Sequence, residues 1–173
     1  MNSRNFIFSI FGFFLYFAVQ VFVLKNVVLF GTAFSFLYVI YILIFPIEIK
    51  TIPLMVISFL LGLSIDIFYD TLGMHTASLL VVAFLRKSWL NVHTPTGGFD
   101  DNTQPTVLNM GLGWFITYSL PLIFIHHLTF FFIDYLGTDF YLPIIIRTFS
   151  SMVFTFMLGI IAQMLFYKKK RGI

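Results

Sequence analysis

Two carboxylates and an imidazole fall within "GLSIDIFYDTLGMH", residues 62–75: Asp66, Asp70 and His75. Groups of this type hold and release protons, ligate cations, or hydrogen-bond a partner. Asp66 follows fifteen consecutive uncharged residues, Thr51 to Ile65. A second charge, Arg147, is embedded in the late apolar run 141–167. Ionisable groups in such surroundings are costly unless paired, so their partners matter more than their number.

The rest of the chain is apolar. Of 173 residues 60% are hydrophobic, 20% aromatic and only 10% charged, and the mean hydropathy is +0.99. A soluble domain of this length needs far more polar surface, so composition assigns the chain to a membrane. The net charge of +3 owes much to one terminal run, Lys168-Lys169-Lys170-Arg171, which reads as an anchor at anionic headgroups and not as a nucleic-acid site. With no cysteine, disulfides, thiolate metal sites and a cysteine nucleophile are excluded. The stretch 6–24 is too long for the apolar core of a signal peptide and reads as a retained helix.

Hydropathy predicts an all-α membrane protein, a bundle of six transmembrane helices in a single domain over 1–173. The spans are roughly 6–24, 28–46, 52–69, 73–86, 107–131 and 141–167. Gly73 supplies the positive φ for the tight turn between the third and fourth, and Pro121 interrupts one backbone bond of the fifth. The loop 88–106, rich in Pro, Gly, Asn and Asp, is expected to lack regular structure. Counting Lys and Arg puts Arg4, Lys50, Arg86, Lys87 and Lys168–Arg171 on one side, eight of ten. That asymmetry predicts both termini in the cytoplasm and the loop 88–106 with them.

On this topology Asp66, Asp70, His75, Arg147 and the pair His126–His127 all lie toward the outer side, and the cytoplasmic halves of the spans hold no ionisable residue away from their ends. Ser58, Gly62, Asp66 and Asp70 recur every fourth residue, as do Arg147, Ser151, Thr155, Gly159 and Gln163. Each row drifts only about 40° per step and forms a packing seam of small residues, Ser58 and Gly62 on one helix, Ser151 and Gly159 on the other. The cluster Asp66, Asp70, His75 and Arg147 has three readings: an internal ion pair holding the bundle, a partner or substrate site, or a proton relay. Equal depth makes Arg147 the expected partner of Asp66. Adjacent helical positions point about 100° apart, so His126 and His127 cannot serve one metal from a regular helix. "FDDN" (99–102) lacks the spaced ligands of a calcium loop. No phosphate loop, HExxH or GxSxG occurs, so no catalytic residue, metal or cofactor is expected.

The segment "FLLGLSIDIFYDTLGMHTASLLVVAFLR" (59–86) resembles the core of the rod shape-determining MreD family: Gly-Leu, an Asp three positions on, an aromatic, then Gly-x-His and an apolar helix ending in Arg. "TPTGGFDDNTQPT" with "WFITYSLPLIFIHH" is similar to the Bacteroidetes branch of that family. The resemblance implies a non-catalytic scaffold of the cell-wall elongation complex in the bacterial inner membrane, with a fold like the substrate-binding subunits of energy-coupling-factor transporters. Its implied partners are the bitopic protein MreC, and, within the complex, MreB, a SEDS glycosyltransferase and a class B penicillin-binding transpeptidase. By position the family's Asp falls on Asp66 and its Gly-x-His on Gly73 and His75. The alternative is the membrane subunit of a vitamin-type transporter, with the outer polar cluster lining its pocket. A ligand pocket requires convergent polar groups in one cavity; a scaffold requires charges satisfied internally and a free apolar flank.

Overall fold

The computed structural model describes residues 3–100, 103–138 and 141–167. The chain is mostly helical, 73%, and three of its helices are long and apolar enough to cross a membrane. Helix α1, Ser3–Ala18, continues into wider π-helical turns, Val19–Leu24. A two-residue hairpin follows, β1 (Val28–Leu29) against β2 (Ala33–Phe34), and then a short helix α2, Tyr38–Leu43. Helices α3 (Thr51–Tyr69) and α4 (Met74–Val92) form a hairpin. A loop leads to the single turn α5 (Val107–Met110), followed by α6 (Leu112–Asp134) and α7 (Tyr141–Phe166). The membrane-length helices are α3, α6 and α7.

The six-span expectation is therefore corrected. The predicted second span, 28–46, is no transmembrane helix: Phe30 and Gly31 take left-handed φ angles of 53° and 70°, turn the chain into the hairpin, and leave only a two-turn helix beyond it. Its apolarity comes from protein burial instead of lipid contact, since every residue from Ser35 to Phe45 is buried. The predicted fourth span, 73–86, starts where expected but continues to Val92, so the first residues of the loop 88–106 are helical and Arg86 lies inside the helix. Near its end the loop is tied to the body, with Ile47 N–H donating to Thr103 O at 3.0 Å, and the residue just after it, Val107, donates its N–H to Gln163 Oε1 at 2.9 Å. The basic run Lys168–Arg171 and the Asp101-Asn102 part of "FDDN" lie outside the described residues.

A segment that leaves helical geometry inside a bundle strands its backbone polar groups, and each must find a partner. The surrounding helices supply them. Ahead of α2, Phe34 N–H donates to Ser151 Oγ (2.9 Å), Phe36 N–H to Thr155 Oγ1 (3.0 Å) and Leu37 N–H to Gln20 Oε1 (2.9 Å). Gln20 Nε2 also donates to Ser35 O at 2.9 Å. Behind α2, Leu43 O accepts from Arg86 Nε and Nη2 (3.3 and 3.2 Å) and from Tyr118 Oη (2.8 Å), and Arg86 Nη2 also donates to Phe45 O. Arg86, read from the sequence as a boundary residue, is 1% exposed in the core. Its positive charge stands at the negative end of α2, where such a charge is favourable.

Close packing sets the remaining distances. A Cβ on Gly62 would meet the Thr76 backbone at 2.5 Å, and one on Gly159 would meet the Ile40 side chain at 2.6 Å. Gly62→Ala is expected to destabilise the detergent-solubilised protein by about 1–3 kcal/mol, the range for overpacked cores. Gly159→Ala should cost less, because Ile40 can rotate and the backbone of α4 cannot. Thermal unfolding of the two variants measures the difference. Arg86→Met removes the donor from Phe45 O, at about 1–3 kcal/mol, and leaves Leu43 O with the Tyr118 hydroxyl alone. Arg86→Lys should recover only part of that, since an ammonium lacks the planar fork.

Candidate functional site: a closed polar network and an open apolar groove

Asp66 is 3% exposed and accepts four hydrogen bonds. Thr71 Oγ1 donates to Oδ1 at 2.5 Å and His75 N–H to the same oxygen at 3.0 Å; Thr76 N–H (2.9 Å) and Oγ1 (2.5 Å) donate to Oδ2. The first N–H groups of a helix have no partner within it, and they carry the positive end of its dipole. Asp66 therefore caps α4 from outside, across the turn whose geometry Gly73 permits at a φ of 86°. This answers what a carboxylate does after fifteen uncharged residues: it joins two helices end to end.

Arg147 is not its partner. The guanidinium lies over the rings of Phe34 (5.5 Å) and Tyr135 (5.3 Å), on the other side of the hairpin. The matched depths held no information about which faces of α3 and α7 meet. Asp70 is exposed and ends α3 in a left-handed conformation, φ 57°. Of the four clustered residues the structure thus brings Asp66 and His75 together, and leaves Asp70 at the surface and Arg147 apart. Ser58 is buried with its hydroxyl unpaired, while Ser151 Oγ accepts from Phe34 N–H.

The histidines meet a residue that sequence reasoning passed over. Tyr38 Oη lies 2.6 Å from His75 Nδ1 and 3.0 Å from His126 Nε2. One hydroxyl proton can serve only one of them, so the oxygen donates to one imidazole and accepts from the other. His127 has its order set by geometry. Nδ1, 2.7 Å from Ile123 O, must carry the proton, so Nε2 accepts from Thr155 Oγ1 at 3.0 Å. Thr155 in turn accepts from Phe36 N–H. His126 and His127 thus face different partners, and Phe36 packs between them with ring centroids 5.7 and 5.1 Å away. Among the described residues no three His, Cys, Asp or Glu are grouped to hold a metal. The chemistry seen here is internal hydrogen bonding, in which Asp66 fastens a helix end and Thr155 the chain ahead of α2, while His75 Nε2 and His126 Nδ1 are buried without a partner.

Gln20, Tyr38, Arg86, Tyr118 and Thr155 complete this network. Thr155 stood in the small and polar row of α7, Arg86 ended an apolar run, and Gln20 is the single amide in the run 6–24, whereas Tyr38 and Tyr118 carried no signal. Gln20 Nε2 also donates to the Tyr69 hydroxyl at 2.7 Å, and that hydroxyl donates to Gln20 O at 3.1 Å.

The open space is elsewhere. A groove of about 830 Å³ runs along the flank between α1 and α3, walled by Ile10, Phe13 and Phe14 on one side and Ile52, Val56 and Leu60 on the other, with Tyr41 and Phe45 beneath. Fold and site together define a helical membrane protein whose buried charges, Asp66 and Arg86, are hydrogen-bonded within the protein, with an apolar flank; Ser58 Oγ, His75 Nε2 and His126 Nδ1 are buried without a partner. A scan against protein-family models gives no match, and no curated protein or solved structure matches the chain.

Because Asp66 and Arg147 do not touch, Asp66→Asn and Arg147→Gln should have additive effects on thermal unfolding, within about 0.5 kcal/mol in a double-mutant cycle. Asp66→Asn alone should be strongly destabilising, since an amide NH₂ would face groups that are themselves donors. Coupling above that range would place the two side chains in contact.

Proposed function

We propose that this chain is a non-catalytic scaffold in the bacterial inner membrane, of the kind the MreD resemblance implies, with both termini cytoplasmic. Its direct partner on this reading is the single transmembrane helix of an MreC-like protein, and MreB, a SEDS glycosyltransferase and a class B transpeptidase belong to the same complex. The observation that carries the reading is the separation of polar groups from open space. Asp66, His75 and Arg86 bond inward to α4, Tyr38 and α2, and the 830 Å³ groove is walled mainly by aliphatic and aromatic side chains, with Ser9 and Glu48 also in its lining. A vitamin-type pocket would instead have these polar groups converge on the cavity.

Membrane helices associate through close van der Waals packing, since lipid tails are as apolar as the helices themselves. The wall residues Ile52, Val56 and Leu60 recur every fourth position on one side of α3, a stripe about 12 Å long that a partner helix can follow. Filling the groove should exclude that helix. Val56→Trp and Ile52→Trp are each expected to lower co-purification of a single-span partner in mild detergent by about tenfold, equivalent to about 1.4 kcal/mol. A Gly/Ser replacement of 95–100 should leave it unchanged. Retained partner in both tryptophan variants would move the interface off this groove. Co-purification with an ATPase module and a bound small molecule would select the transporter reading.

A further inference from the structure

Arg147 is the described cation whose surroundings the fold does not explain. Its planar group offers five N–H donors along its edges. Its guanidinium carbon lies over the rings of Phe34 and Tyr135, and among the described residues its N–H groups meet no acceptor. Asp134 precedes Tyr135 in the chain and is exposed, yet forms no ion pair with Arg147 among the described residues.

Position decides what could supply the acceptors. Helix α7 has 26 residues and is about 39 Å long, against a hydrocarbon core of about 30 Å. Centred, it would extend roughly 4–5 Å beyond the core at each end. Arg147 is six residues in from Tyr141, about 9 Å, and so starts some 4–5 Å inside the hydrocarbon boundary. That is within snorkelling reach of the phosphate layer. Ile145, Ile146 and Phe149 beside it are about half exposed and mark the lipid-facing side of α7. Ser150 and Ser151 both donate to Thr32 O (3.1 and 3.4 Å), and Ser151 accepts from Phe34 N–H, so the hairpin is fastened to α7 and Phe34 is held under the guanidinium.

We infer that Arg147, cradled by Phe34 and Tyr135, is a binding site for the phosphate of an anionic phospholipid headgroup. The two rings hold the guanidinium in place, and its N–H donors make the forked pair of hydrogen bonds for which arginine and phosphate are matched. A lipid phosphate is favoured over a carboxylate of a partner helix because Arg147 stands among the half-exposed Ile145, Ile146 and Phe149 of α7 and outside the groove between α1 and α3.

The test uses the full chain in nanodiscs of phosphatidylcholine with or without phosphatidylglycerol, read by thermal unfolding and by native mass spectrometry of retained lipid. The wild type should gain thermal stability from phosphatidylglycerol and retain it in preference to phosphatidylcholine. Arg147→Gln should lose both effects, and Arg147→Lys should keep part of the retention. Inorganic phosphate added to protein in neutral detergent should give a smaller shift than the lipid does; an equal shift would show a site for free phosphate. Tyr135→Leu, which spares the charge and removes half of the cradle, should weaken retention and serves where Arg147→Gln is poorly folded. Undiminished phosphatidylglycerol retention in both Arg147→Gln and Tyr135→Leu would overturn the assignment. So would loss of a co-purifying protein partner from Arg147→Gln with lipid retention unchanged, which would make Arg147 a protein contact.

Discussion

Inside a bilayer, backbone that departs from the helix must have its N–H and C=O groups paired by protein, because hydrocarbon offers no substitute. In this protein that constraint falls on the segment from Ala33 to Phe45, a stretch of extended chain and a two-turn helix set among longer helices. Its exposed ends are reached by Gln20, Ser151 and Thr155 from one direction and by Arg86 and Tyr118 from the other. Those five side chains come from the end of α1, from α4, from α6 and from α7. The demand made by one short segment therefore fixes how four longer ones are arranged around it.

Arg86 shows how strict the requirement is. A guanidinium at 1% exposure bears a large desolvation cost, and no carboxylate lies among its hydrogen-bond partners. It is compensated by the carbonyls that close α2 and by the Tyr118 hydroxyl, dipoles pointing at the charge from fixed positions. Asp66 repeats the arrangement with opposite sign, held by the N–H groups and hydroxyls that open α4. Both buried charges answer helix ends. Neither needs the other, and neither needs a ligand.

This accounting leaves a surface of two kinds. The flank between α1 and α3 is apolar and concave, which suits the close packing by which membrane helices associate. The N-terminal end of α7 presents a cation with aromatic support, which the lipid proposal sets at the level of the headgroup phosphates. A scaffold held in a lipid matrix would use one to grip a partner and the other to set its own depth.

Composition alone decided that the chain belongs in a membrane and is built of helices, because 60% hydrophobic and 10% charged residues leave too little polar surface for water. The hairpin of α3 and α4 was legible from Gly73, and the seams of α3 and α7 from small residues at every fourth position. The run 28–46 was not, since hydropathy measures aversion to water and is the same whether a residue faces lipid or other protein. Only the tertiary structure distinguished those cases, by turning the chain at Phe30 and Gly31 and enclosing what followed. Charge partners escaped the sequence for a related reason. Position along a helix gives depth, but the side of the helix that meets a neighbour is set by packing. Asp66 therefore found the amides of α4, nine and ten residues onward, where Arg147 at matching depth met the rings of Phe34 and Tyr135.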